Sequence, residues 1–134
     1  MELRYLLDTN IFIYIRQGRP EVVHRFSKLR PGEAAVSVIS YGELFFGAAK
    51  RGQRTDDLER LRALMHLLPC LTIPEAAAET YGAVRTELES QGQGISNNDL
   101  WIAAHALASG LILVTNNEKE FRRVRGLKMQ NWAA

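Results

Sequence analysis

Tyr5-Leu-Leu-Asp-Thr-Asn-Ile-Phe-Ile-Tyr-Ile15 sets a single carboxylate between two apolar runs. Leu3 to Leu7 is short, apolar and stops at polar residues, which predicts a buried strand. Ile11 to Ile15 then continues as a helix after the Asp-Thr-Asn corner. A buried, unpaired carboxylate costs several kcal/mol, roughly, or takes up a proton. Asp8 therefore needs something to compensate it.

Outward from this corner, strand and helix patterns alternate. Arg19 to Glu33 reads as a helix with Pro20 in its first turn and Pro31-Gly32 closing it. Ala34-Ala-Val-Ser-Val38 follows as a second strand. From Ser40 a helix runs to a stop at Gly52, and Thr55 to Leu68 forms another, closed by Pro69. Cys70-Leu-Thr-Ile73 is a short third strand. Pro74 to Gly92 is a helix with proline at its start and glycine at its end, and Ser96 to Ser109 is an alanine-rich helix stopped by Gly110. Leu111-Ile-Leu-Val-Thr115 is the strand with the clearest pattern, and the tail from Gly126 adds a short edge strand. Parallel strands need helical crossovers, so this order predicts an α/β/α domain with a central parallel sheet flanked by helices.

The 134 residues, 46% of them hydrophobic, suffice for one core and one domain spanning 1–134. A net charge of +2 permits a nucleic-acid partner without requiring one. Cys70 is the single cysteine, which excludes an intramolecular disulfide; its apolar surroundings predict a buried, reduced thiol. The N-terminus has no export pattern, and no segment reaches the ~18 apolar residues that a bilayer requires. The expectation is a cytoplasmic protein with no membrane contact.

In open parallel sheets, ligands bind beyond the carboxyl ends of the strands. Asp8 falls at the end of the first strand, Glu43 in the helix leaving the second, and Asn116, Asn117, Glu118 and Glu120 directly after the last clear strand. Asp99 shares its helix face with Ile102, Ala103 and Ala106, and Glu43 is surrounded at helical spacing by Ile39, Ser40, Phe46 and Gly47. Three carboxylates thus project from core-facing surfaces, and clustered like charges raise one another's pKa unless a cation neutralises them. Hard cations such as Mg²⁺ and Mn²⁺ prefer these oxygen donors. His24, His66 and His105 lack ligand spacing, and His105 reads as a packed helix histidine.

Structural readings compete at each position. Asp8 can cap the following helix, and Ser96-Asn-Asn-Asp99 has capping-box spacing. Asn116 and Asn117 suit a turn. Capping does not explain Glu43, an acid in mid-helix between Gly42 and Leu44-Phe45.

The blocks "LLDTNIFIYI", "VSVISYGELFFGA" and "GQGISNNDLWIAAHALASGLILVTNNEKEFRRVRGLKMQNW", in this order, resemble a PIN-domain ribonuclease of the VapC toxin type from about Leu6 to Trp132. The resemblance implies a Rossmann-like domain that cuts RNA with Mg²⁺ or Mn²⁺, often pairs as a homodimer, and is held inactive by a VapB antitoxin. Asp8, Glu43 and Asp99 match the family's three most constant metal-binding acids. Many PIN domains carry aspartate where this chain has Asn117, whereas related toxins place an acid just before the phenylalanine, here Glu120. Asp8 and Asp99 would then be the main metal ligands, and Glu43 a ligand or the group that takes the water's proton. The implied substrates are structured RNAs, with tRNA the commonest class and initiator tRNA a target among similar members.

For substrate grip the sequence offers Lys119, Arg122, Arg123, Arg125 and Lys128, together with Lys50, Arg51 and Arg54, with a solvated helix face as the alternative. Phe45, Phe46, Leu61 and Met65 are candidates for an antitoxin groove, a homodimer face or the core. Competing functions are a receiver-type signalling domain, a phosphatase or flap nuclease using the same acids, and a weakened PIN domain that binds without cutting, to which Asn117 lends support.

Overall fold

β1 (Tyr5–Leu7) occupies the centre of the sheet, and all three of its side chains are buried. The continuous apolar run, with no polar alternation, is what a strand covered on both faces requires. It pairs in parallel with β2 (Ala34–Ser37), Tyr5 opposite Ala34, and with β4 (Ile112–Val114), Tyr5 opposite Ile112. β3 (Cys70–Leu71) and β5 (Met129–Gln130) add parallel edges, giving the order β3-β2-β1-β4-β5. The computed structural model describes residues 2–51 and 55–134. The expected stop at Gly52 and the cation Arg54 lie outside the described residues.

The crossovers are helical: α1 (Thr9–Arg16), α2 (Pro20–Ser27), α3 (Val38–Lys50), α4 (Thr55–Met65), α5 (Ala76–Ser90), α6 (Asn97–Ser109) and α7 (Glu118–Phe121). Because strand side chains alternate, Tyr5 and Leu7 join a core with Ile11, Phe12, Val22, Leu44 and Leu61, from α1 to α4. Leu6 faces the opposite core, with Leu88, Leu100, Ile102 and Phe121 from α5, α6 and α7. The expected α/β/α layering is therefore present. Among the described residues, no helix is long and apolar enough to cross a membrane.

Local chemistry sets the element ends. Ser37 closes β2 and caps α3, its Oγ accepting from Ile39 N at 3.2 Å, so the helix begins two residues before the expected Ser40. Gly110 ends α6 with φ 66°, a left-handed conformation that glycine adopts without steric cost. Cys70 departs from expectation: it is exposed, because its strand is a two-residue edge with a neighbour on one side only. His105 is packed as expected, 1% exposed, with Nδ1 3.0 Å from Ser37 Oγ.

The chain leaves β1 toward β2 on one side, while β4 lies on the other. This reversal opens a crevice beyond the carboxyl ends of β1 and β4.

Candidate active site at the mouth of the sheet

Asp8 is the first residue beyond β1, and its N–H donates to Val114 O of β4 at 2.8 Å, which holds it in that crevice. It is only 5% exposed. Its Oδ1 accepts from Thr9 N at 2.8 Å, so the helix-capping reading holds as well. Its Oδ2 accepts from Thr115 Oγ1 at 2.7 Å, a contact that capping does not require.

From this carboxylate one hydrogen-bond network reaches the other three acids. Thr9 Oγ1 donates to Glu43 Oε1 at 2.6 Å, bringing the acid of α3 to the start of α1. On the far side, Thr115 Oγ1 accepts from Asn117 N at 3.0 Å. The Asn117 amide nitrogen then lies 3.5 Å from Asp99 Oδ2 and 3.3 Å from Glu120 Oε2. Asp99 is in the first turn of α6, where its N–H donates to Ser96 Oγ at 3.3 Å, and Glu120 is in the short α7. Asp8, Glu43, Asp99, Asn117 and Glu120 are thus gathered at one end of the sheet from four separate segments, Asn117 capping the short helix that carries Glu120.

The acids are close enough to feel one another. Burial pushes the Asp8 carboxyl up to about 6; the charges of Asp99 and Glu43 add to this, while Thr115 and Thr9 oppose it. The Asp99 carboxyl is also raised, first by burial and then by the charges of Glu120 and Glu43. The ion pairs of the described residues involve other acids: Glu33, Glu21, Glu89, Glu118 and Glu87. Among the described residues, therefore, no cation of the protein offsets this cluster. Nor do any three His, Cys, Asp or Glu side chains there stand close enough to enclose an ion as placed. The hydroxyl of Thr9 and the amide of Asn117 hold the carboxylates in a looser arc. All the donors are oxygen, the chemistry that hard divalent cations prefer.

Of the candidate cations, Lys119 is exposed. Arg122 Nη2 lies 3.8 Å from Glu118, Arg123 Nη1 donates to Gly94 O at 3.2 Å, and Arg125 pairs with Glu87 at 3.2 Å. Lys50 is exposed at the end of α3. Arg51 lines a separate cleft with Ile13, Ile15, Arg16, Arg60 and Leu64. Among the groove candidates, Leu61 and Met65 belong to the core and Phe45 stacks on Tyr41 at 4.9 Å, whereas Phe46 is 69% exposed.

Asn98 is a site residue that sequence reasoning missed; its Nδ2 lies 3.4 Å from Glu43 Oε2. Its only sequence signal is its position beside Asp99, because the contact depends on how α3 and α6 meet. Thr9, Glu43 and Asn98 together line an open cavity of about 630 Å³.

The chain, whose parallel five-stranded sheet collects acids at its switch point, matches the PIN domain family over residues 5–127. The chain is 40% identical to Ribonuclease VapC2 of Haemophilus influenzae, over 97% of this chain and 98% of that one. It is 36% identical to the tRNA(fMet)-specific endonuclease VapC of Shigella flexneri, over 98% and 99% of the two chains. The solved structure of VapBC-1 from nontypeable Haemophilus influenzae superposes with a TM-score of 0.89 at 38% identity, covering 100% of both chains. The chain belongs to the VapC ribonucleases of the PIN-domain family.

Proposed function

We propose that this protein is the toxin of a type II toxin–antitoxin pair and hydrolyses phosphodiester bonds in tRNA with the help of Mg²⁺ or Mn²⁺. The observation that carries the metal requirement is Asp8, a carboxylate 5% exposed, facing two further acids, with no protein cation against it among the described residues. A bound divalent ion offsets that charge and supplies Lewis acidity for the phosphate and for activating water.

Asp8 and Asp99 are the main ligands in this reading. Glu43 either completes the set or takes the proton of the attacking water, with Thr9 orienting its Oε1. Asn117 offers a neutral oxygen and Glu120 a charged one. Thr115 and Thr9 hold the Asp8 carboxylate in a single orientation. Lys119, Arg122, Arg123, Arg125, Lys50 and Arg51 are the candidates for holding RNA phosphates.

The Shigella relative, specific by name for tRNA(fMet), supports tRNA as substrate and makes initiator tRNA the first target to test. The VapBC-1 structure supports a VapB-type antitoxin as partner, and the family resemblance supports a homodimer. An RNA substrate of this kind supports a cytoplasmic location for the protein.

The test is cleavage of total tRNA by the antitoxin-free protein in Mg²⁺ or Mn²⁺, beside an EDTA control and an Asp99→Asn variant. Discrete fragments absent from both controls are expected. Intact tRNA in the presence of folded, metal-loaded protein would overturn the reading and favour a domain that binds without cutting.

A further inference from the structure

Phe46 is 69% exposed on a helix whose other face buries Ser40, Leu44 and Ala48. Val38, 41% exposed, lies two turns earlier on the same stripe, with Gly42 between them. A Cβ added to Gly42 would meet nothing within 4 Å. This apolar stripe runs straight into the acid cluster: Phe46, Gly42, Glu43, Thr9 and Asn98 line the same cavity of about 630 Å³. Exposed apolar surface of this kind marks a place of interaction.

The chemistry of the cavity selects its occupant. Glu43, the acid that lines the cavity, repels a second phosphate, but it does not repel a neutral, flat ring. In RNA such a ring is attached one sugar away from every phosphate, and an unpaired base stacks readily on an aromatic side chain. Asn98 adds an amide with donor and acceptor atoms suited to a base edge. We infer that Phe46 is the stacking platform for the unpaired base beside the phosphate that is cut, so that the substrate is presented from a loop or another single-stranded stretch. A paired base in a helix cannot reach the ring. The inference rests on the ribonuclease reading and adds to it the form in which RNA is taken.

The experiment compares binding of a short labelled oligoadenylate with that of an RNA duplex, measured by fluorescence anisotropy in an Asp99→Asn background that cannot cut. Phe46→Ala is expected to weaken single-strand binding about tenfold, as loss of one base–aromatic stack does, and to leave duplex binding unchanged. Phe46→Tyr restores the single-strand affinity. Unchanged single-strand binding, or an equal loss on duplex, would overturn the inference. Sedimentation of the same proteins covers the other occupant: if Phe46→Ala dissociates a dimer and leaves oligoadenylate binding intact, the stripe joins two copies of the chain and the platform is wrong. Phe46-dependent binding alongside intact tRNA with the unmodified protein would sink the ribonuclease reading and leave the platform standing.

Discussion

Thr115 Oγ1 donates to Asp8 Oδ2 at 2.7 Å across 107 positions of sequence, and the same oxygen accepts from Asn117 N at 3.0 Å. One hydroxyl thus ties the end of β4 to the acid that closes β1 and to the loop that brings Asn117 and Glu120. Thr115→Val keeps the shape and removes both bonds. Lost hydrogen bonds to a buried charged group cost about 1–3 kcal/mol. Cleavage is therefore expected to slow by about ten- to a hundredfold. A donor to a carboxylate holds its pKa down, so its removal raises Asp8 further and moves the acid limb of the pH–rate profile upward. Thr115→Ser should restore both. A slower enzyme with an unmoved limb would mean that Thr115 only packs.

The raised pKa of Asp8 also makes the metal-free fold sensitive to pH. The native carboxyl titrates at about 6 and the unfolded one near 3.8, so between these values the native state holds a proton that the unfolded chain has released. Stability from this group is full below pH ~3.8, falls as pH rises through the window, and is lost above about 6. The shift corresponds to about 3 kcal/mol at neutral pH, since one pKa unit is about 1.4 kcal/mol. Asp8→Asn removes the charge at the expense of one hydrogen bond, about 1 kcal/mol. It should raise the melting temperature of the metal-free protein at pH 7 by several degrees and abolish the stabilisation by Mg²⁺ or Mn²⁺. Calorimetric scans at pH 4 and pH 7 decide this. A variant that melts lower at pH 7 would show that Asp8 is already compensated without metal.

Much of the site was legible in the sequence because a buried acid is costly wherever it stands. Asp8 between apolar runs, Glu43 in mid-helix and Asp99 on an apolar helix face each break the pattern of their own element. The sheet was legible through the crossovers, which force the strands parallel. What escaped depends on contacts between elements. α7 has four residues, too few to show a helical period, and Asn98 acquires its partner only where α3 and α6 meet. Arg125 looked like a free cation because Glu87 is 38 positions away, and Cys70 looked buried because an apolar neighbourhood does not reveal a sheet edge.

Asn117 sets the expected metal stoichiometry. Its amide nitrogen faces both Asp99 and Glu120, a place where an aspartate would add charge for a second cation. Titration calorimetry with Mn²⁺ in the absence of RNA should show one site in the unmodified protein. Asn117→Asp should add a second site or tighten the first by about tenfold, the range in which a ligand-shell change acts. Two tight sites in the unmodified protein would show that Glu120 supplies the missing charge alone.

The cations that follow β4 differ in what they can give to RNA. Lys119 is exposed and, among the described residues, forms no ion pair, whereas Arg125 is held by Glu87 at 3.2 Å and Arg122 lies near Glu118. A cation already paired with a carboxylate displaces fewer counterions when it meets a phosphate, because its charge is partly spent within the protein. Binding of total tRNA to the Asp99→Asn protein, measured over a range of salt concentrations, separates the two cases. Lys119→Gln should flatten the slope of log affinity against log salt by about 0.7–0.9, the contribution of one phosphate contact. Arg125→Gln should change it by less than half as much. Equal changes would mean that the Arg125–Glu87 pair opens when RNA binds, and an unchanged slope for Lys119→Gln would remove that lysine from the footprint.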